Sequence, residues 1–242
     1  MSTFADLHIH TFYSDSTSSP EEVVNEAISA GLSCIAITDH DTIDGIEPTV
    51  KLAQAQGLEV LAGIELSTEI NGNDLHLLAY CFDPKNPELL KVIAQAQDGR
   101  IERIKKMIVK LKDLGVNNID FEEVRVLAQS KSLGRPHLAT VLKAKGWVAD
   151  LPQAFHKYLG EDAPAYVPKF KLSPFDAIKL VRDAGGVAVL AHPMVTNRDE
   201  LVPVLVEAGL QGIEVYYPNY PPVAIEYYEK LAGKYNLLMT GG

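Results

Sequence analysis

The sequence predicts an α/β protein of parallel strands joined by crossover helices, and three observations predict it. Short apolar runs around residues 4–11, 34–37 and 58–64 alternate with segments of helical period, which gives the order βαβαβ. The same rhythm resumes at Pro174 after a long, purely helical stretch. Imidazoles and carboxylates stand where the apolar runs end, which is where folds of this class gather their chemistry.

In the first strand, Phe4-Ala5-Asp6-Leu7-His8-Ile9-His10-Thr11 alternates apolar and polar residues. His8 and His10 therefore share one face. Asp15 follows in a Ser/Thr-rich stretch. Ser19-Pro20-Glu21-Glu22 then supplies the cap, first-turn proline and early acids that start a helix. Cys34-Ile35-Ala36-Ile37 is a short buried strand that runs into Thr38-Asp39-His40-Asp41, and Ile46 to Gln56 reads as the next helix. Leu58 to Ile64 is the third strand, ending at Glu65. Buried imidazoles and carboxylates are costly without partners, so this accumulation at successive strand ends points to a metal site rather than to packing. Asn71-Gly72 carries turn chemistry, and the strand Leu75 to Tyr80 that follows bears His76, which by itself fits a core position or a ligand equally well.

From residue 88 to 115 the pattern is continuously helical, with Ile101, Ile104, Ile108, Leu111 and Leu114 on one face. Arg100, Arg103, Lys105, Lys106, Lys110 and Lys112 against the single acid Glu102 make this segment basic in a chain of net charge −10. Arg100 and Arg103 are i,i+3 neighbours and can grip phosphate oxygens together. Arg135, near the start of a helix opened by Gly134, can act on an anion together with the helix dipole. His137 is a further candidate beside it, and Lys169 or Lys171 can face the same pocket. Later strands are read at 186–191, closed by His192-Pro193, at 212–215 and at 236–240, which brings the total to seven.

The acidic balance, with a pI near 5.2, argues against broad electrostatic wrapping of nucleic acid, so an anionic substrate needs a local basic pocket. No apolar run approaches the roughly 20 residues of a membrane span. Cys34 and Cys81 stand singly in apolar runs and read as reduced core residues; the expectation is a soluble, cytoplasmic protein with no membrane and no stable protein partner.

Asp6-Leu7-His8-Ile9-His10-Thr11, Thr38-Asp39-His40-Asp41, Gly63-Ile64-Glu65 and Ala191-His192-Pro193 resemble, in order, four motifs of the PHP (polymerase and histidinol phosphatase) superfamily. The resemblance is strongest to its bacterial nucleoside 3',5'-bisphosphate phosphatases and 5'-to-3' oligoribonucleases. It implies a distorted seven-stranded β/α barrel formed by residues 1–94 and 169–242, with a helical insertion at 95–168 capping the site. It also implies up to three divalent ions: one on His8, His10 and Glu65, a second on Glu65, His76 and His192, a third on Asp15 and His40. Mixed N/O ligation without thiolate suits Mn2+, foremost here, or Fe2+ or Zn2+. A hydroxide bridging two ions would be the nucleophile, with no catalytic side chain beyond the ligands. Arg100, Arg103 and Arg135 would bind the second phosphate of a small nucleotide or the end of a short oligonucleotide.

The resembling proteins follow their last strand with Ser-Asp-x-His-Gly, whose Asp and His are ligands. This sequence stops at Gly241-Gly242, where that motif would begin, and the expectation is a fragment of a longer protein. Histidinol-phosphate phosphatase, which needs no pocket for a second phosphate, is the alternative activity; a non-catalytic metal-binding module is the alternative role.

Overall fold

A computed structural model describes residues 4–128, 130–168 and 172–242. Lys169 and Lys171 lie outside the described residues. Seven strands form one sheet in sequence order: β1 (Phe4–Ile9), β2 (Leu32–Ile37), β3 (Glu59–Ile70), β4 (Asn73–Tyr80), β5 (Val187–Leu190), β6 (Gly212–Tyr216) and β7 (Leu238–Gly241). β1, β2 and β3 pair in parallel, as do β5, β6 and β7. The sheet rolls until its ends meet, for a Cβ added to Gly242 would fall 2.4 Å from the backbone nitrogen of His8.

β4 departs from the parallel pattern, being antiparallel to both β3 and β5. The cause is local. Asn71 and Gly72 both have positive φ, 52° and 82°, as a tight two-residue hairpin turn requires. β3 therefore continues past Glu65 to Ile70 instead of ending there, and returns at once as β4. Cys81 also differs from its expected core position. The chain leaves β4 at Tyr80 and turns at Cys81 with φ 56°, which exposes the thiol.

Helix α1 (Pro20–Ser29) begins with the expected capping box between Ser19 and Glu22, and α2 (Ile46–Gln54) precedes β3. Helix α3 (Pro87–Asp113) is capped by the Asn86 side chain. α4 (Phe121–Ala128), α5 (Arg135–Ala144) and α6 (Leu151–Ala154) follow, and α6 runs directly into a π-helical turn at Phe155–Leu159. Ser173 caps α7 (Pro174–Asp183) as expected, and α8 (Pro193–Thr196), α9 (Val202–Glu207) and α10 (Pro222–Tyr235) complete the chain. Among the described residues no helix is long and apolar enough to cross a membrane.

A small apolar cluster inside the barrel packs Ala36, Leu78, Tyr80, Val189 and Ala191 together. A larger core lies between strands and outer helices and includes Ile35, Ile64, Leu77, Ile178 and Ile213. A third, built on Ile104, Met107, Leu111, Leu138 and Leu142, belongs to the helices between α3 and the π-turn. α3 carries two of these cores: Leu89 and Ile93 pack on the barrel, Ile104 onward on the insertion. The expected boundary at 94/95 falls inside this helix.

Leu138 is fully buried in the insertion core. Leu138→Ala is expected to cost about 2–5 kcal/mol, the range for deleting a buried leucine side chain. The urea midpoint reads this directly, and an unchanged midpoint would contradict the packing described.

Candidate metal centre

Glu65 stands mid-strand in β3, 1% exposed, and its backbone grips the loop after β2: its N–H donates to the Asp39 carbonyl, and Asp41 N–H donates to its own. Its side chain is thereby fixed beneath five imidazoles. His8 Nε2 and His10 Nε2 lie 3.2 and 3.0 Å from Oε2, and His40 Nδ1 lies 3.3 Å from the same oxygen. His76 Nδ1 and His192 Nε2 lie 2.7 and 3.0 Å from Oε1. The five rings close a circle: His8–His10, His10–His40, His40–His76, His76–His192 and His192–His8 centroids are 5.2, 4.7, 5.1, 5.3 and 5.8 Å apart. Asp15 completes the cluster, its oxygens 3.5 Å from His10 Nδ1 and 3.7 Å from His40 Nε2.

All seven residues expected as ligands from the sequence are thus brought together from β1, the loops after β1 and β2, β3, β4 and the turn after β5. Among the described residues, three groups have ligand atoms close enough to share a cation: His8, His10 and Glu65; His10, Asp15 and His40; and His40, Glu65 and His76. The donor set fits such a cation. A carboxylate offers about four lone-pair positions, and here five imidazoles crowd one. His40 Nδ1 and His192 Nδ1 are buried without any hydrogen bond, the former facing Glu65 out of alignment. Nitrogen and oxygen donors without thiolate suit a divalent transition ion.

The charges in this cluster pull strongly on one another. Burial works against the His8 imidazolium, but hydrogen bonds to Glu214 and Glu65 outweigh it and lift its pKa to about 10. Burial takes His40 the other way, to about 3. Burial also opposes the Glu65 carboxylate, yet His40, His76 and hydrogen bonds from His10 and His192 hold it well below the usual range.

The acids flanking His40 are supports for these loops. Buried Asp39 accepts from Thr11 N–H at 2.7 Å, Thr11 Oγ1 at 2.6 Å and Ser14 Oγ at 2.7 Å, which ties down the loop that presents His10 and Asp15. Asp41, at φ 50°, accepts from Ser67 N–H and from Nε and Nη2 of Arg100, at 2.8 and 2.5 Å. Arg100 also reaches Ser67 Oγ, and Gln97 donates to the Asp41 carbonyl. From the insertion, Ser132 Oγ donates to the His40 carbonyl and Ser130 Oγ to that of Tyr13.

The arginines border the cluster. A cleft of about 160 Å³ is lined by Asp15, His40, Asp74 and His76 together with Arg100, Arg103 and Arg135. Arg103 is buried, donates from Nε to the Val167 carbonyl at 2.7 Å, and leaves Nη2 without a partner. Burial and the neighbouring Arg135 charge lower its pKa to about 10, so it remains a cation at neutral pH. Arg103 and Arg135 each stack on Tyr166, at 5.4 and 5.7 Å, and Arg135 also on Phe155. His137 does not line the arginine cleft: its Nδ1 accepts from Gly134 N–H at 3.0 Å at the start of α5, and it borders a neighbouring hollow with Phe12, Thr140 and Asp15.

Glu214 escaped the sequence reading. It is fully buried, accepts from His8 Nδ1 at 2.8 Å with Oε1, and accepts the His192 N–H at 2.7 Å with Oε2. A signal existed: Ile213 and Val215 pack in the outer core, so alternation turns Glu214 toward the barrel interior.

Comparison with known proteins accords with this site. Residues 6–131 match the PHP domain, and the chain belongs to that family. A 3',5'-nucleoside bisphosphate phosphatase of Chromobacterium violaceum is 32% identical over 87% of this chain and 75% of its own length. A 5'-3' exoribonuclease of Haemophilus influenzae is 33% identical over 79% of this chain and 69% of its own. Among solved structures, a Bifidobacterium adolescentis protein named for an inferred metal-dependent phosphoesterase activity superposes with a TM-score of 0.91 at 31% identity, covering 100% of this chain and 87% of that one. These relationships make the chain a hydrolase of phosphoesters.

Arg100→Ala would leave the Asp41 carboxylate buried and unpaired, and is expected to cost about 3 kcal/mol or more in urea unfolding. Adding Asp41→Asn removes the stranded charge and should recover part of the loss. A double variant no more stable than Arg100→Ala would mean that the pair does not hold the His40 loop. The Arg100 charge holds the Asp41 pKa below its ordinary value despite burial. The pair's contribution is therefore present above about pH 4 and disappears as pH falls through the depressed folded value.

Proposed function

We propose that the protein is a divalent-metal-dependent phosphoesterase that removes the 3'-phosphate of nucleoside 3',5'-bisphosphates and degrades short oligoribonucleotides from the 5' end. One observation carries this reading: the arginine cleft and the imidazole cluster share Asp15, His40 and His76 as a common wall. A substrate with two phosphates can engage both at once.

His8, His10 and Glu65 would hold one ion, Glu65, His76 and His192 a second, and Asp15 with His40 and the adjacent His10 a third. Mn2+ is the ion we propose first. Bound there, divalent ions lower the pKa of water and neutralise phosphoryl charge. The remaining work falls to the chain's own groups. Arg103 and Arg135 bind the phosphate that does not react, and Arg100 lines the same cleft while bound to Asp41. Tyr166 and Phe155 keep the two stacked guanidiniums from swinging into solvent. Binding energy gathered on this remote phosphate helps orient the reacting one. The support for a bisphosphate over histidinol phosphate is this local positive charge in a protein of net charge −10.

The test is phosphate release with Mn2+ from adenosine 3',5'-bisphosphate and from histidinol phosphate, each with and without chelator. Faster, chelator-sensitive release of the 3'-phosphate is expected; preference for histidinol phosphate would overturn the assignment. Arg103→Ala and Arg135→Ala each remove a charged hydrogen bond, worth about 1.5–3 kcal/mol, and should slow the bisphosphate reaction by about 10- to 100-fold. The rate on a nucleoside 3'-monophosphate should fall much less. Equal losses on both substrates would place the second phosphate elsewhere.

A further inference from the structure

Glu214 is not itself one of the proposed ligands, yet its carboxylate bonds two of them, the His8 ring and the His192 backbone, which come from opposite halves of the chain. We propose that Glu214 is a positioning residue that fixes the tautomer of His8 and the turn that presents His192, so that one carboxylate sets ligands of two different ions. This inference rests on the reading of His8 and His192 as ligands.

The chemistry follows from which atoms donate. Glu214 Oε1 lies 2.8 Å from His8 Nδ1, while His8 Nε2 faces Glu65. Once a cation takes the place of the Nε2 proton, the proton left on His8 is the one on Nδ1, facing Oε1 of a carboxylate whose other oxygen already accepts the His192 N–H. The lone pair is then on Nε2, the atom aimed into the cluster. A second partner of this kind typically governs ring orientation and basicity in histidine-ligated sites. The other oxygen accepts the backbone N–H of His192 at 2.7 Å. His192 has φ 26° and ψ 60°, a conformation that residues with side chains seldom adopt. Such a turn persists only when its surroundings hold it. Glu214 supplies a hydrogen bond at that point, and Pro193 follows immediately.

The carboxylate is in turn fixed by its strand. Glu214 pairs with Thr240 in β7 and is fully buried, so it cannot turn toward water. The structure thus makes a sharp demand on side-chain chemistry. Glutamine has nearly the same shape but only one acceptor oxygen. If its NH2 faces His8, Nδ1 must accept and the proton moves to Nε2, which blocks that atom as a ligand. If its NH2 faces His192, two N–H donors meet and the turn loses its hold. Either arrangement damages the site. Aspartate keeps two acceptors on a shorter arm and should retain part of the function.

The experiment uses Zn2+, which is diamagnetic, as the probe. Zn2+ affinity is measured by chelator competition, and the His8 tautomer is read in the Zn2+-loaded protein from long-range 1H–15N imidazole spectra. Wild type is expected to show His8 protonated on Nδ1. Glu214→Gln is expected to bind Zn2+ about 10- to 100-fold more weakly, with the Nδ1–H signal lost where its NH2 faces His8 and kept where its NH2 faces His192, while Glu214→Asp falls between wild type and Glu214→Gln in affinity. Circular dichroism and thermal unfolding show whether each variant folds, and if Glu214→Gln does not, Glu214→Asp decides with the same two readouts. Wild-type Zn2+ affinity together with an unchanged His8 signal in the folded variant would overturn the role of Glu214. Failure of wild type to bind Zn2+ would instead overturn the metal reading beneath it.

Discussion

A single buried carboxylate encircled by five imidazoles is the constraint on which the rest of this structure depends. Glu65 lies at the centre of a closed circle of rings, and no arrangement of protons satisfies all the nitrogens aimed at its two oxygens. Its position is set by backbone bonds to residues 39 and 41 on one side and by the antiparallel return of β4 on the other. The hairpin turn at Asn71-Gly72 thus matters for function: it folds His76 back over Ser67, within reach of the carboxylate two residues earlier.

The helical segment that begins with α3 is fastened to the same centre. Gln97 and Arg100 of α3 hold Asp41, Ser132 holds the carbonyl of His40, and Ser130 holds that of Tyr13. The segment that brings the cationic cleft therefore also stiffens the loops that present His10, Asp15 and His40. The pairing of Arg100 with Asp41 physically joins the cationic cleft to the loop that presents His40.

The strand-end histidines and acids were legible because their signal is local: period-2 alternation puts His8 and His10 together, and each cluster follows an apolar run. Helix starts at Ser19 and Ser173 were legible for the same reason, since capping chemistry spans three or four residues. What escaped is long-range. Glu214 meets His8 across 206 residues, and Asp41 meets Arg100 across 59. A basic run on a helix says nothing of which guanidinium is held by a buried acid, so Arg100 and Arg103 looked equivalent although one is bound to Asp41 and the other keeps Nη2 unbonded. His137 follows Gly-Arg in the sequence; its Nδ1 serves the first turn of α5 while the residue borders a hollow that Asp15 also lines, a pairing no local pattern announces. Cys81 sits one residue beyond the strand that seemed to bury it.

The central claim is that Glu65 joins more than one cation. The most direct measurement is low-temperature electron paramagnetic resonance during Mn2+ titration of the intact chain, with bound ions counted by equilibrium dialysis. Ions sharing one carboxylate are expected to bind at more than one per chain and to give an exchange-coupled signal, which Glu65→Gln removes. A single isolated six-line Mn2+ spectrum at saturation, unchanged by that substitution, would contradict the account.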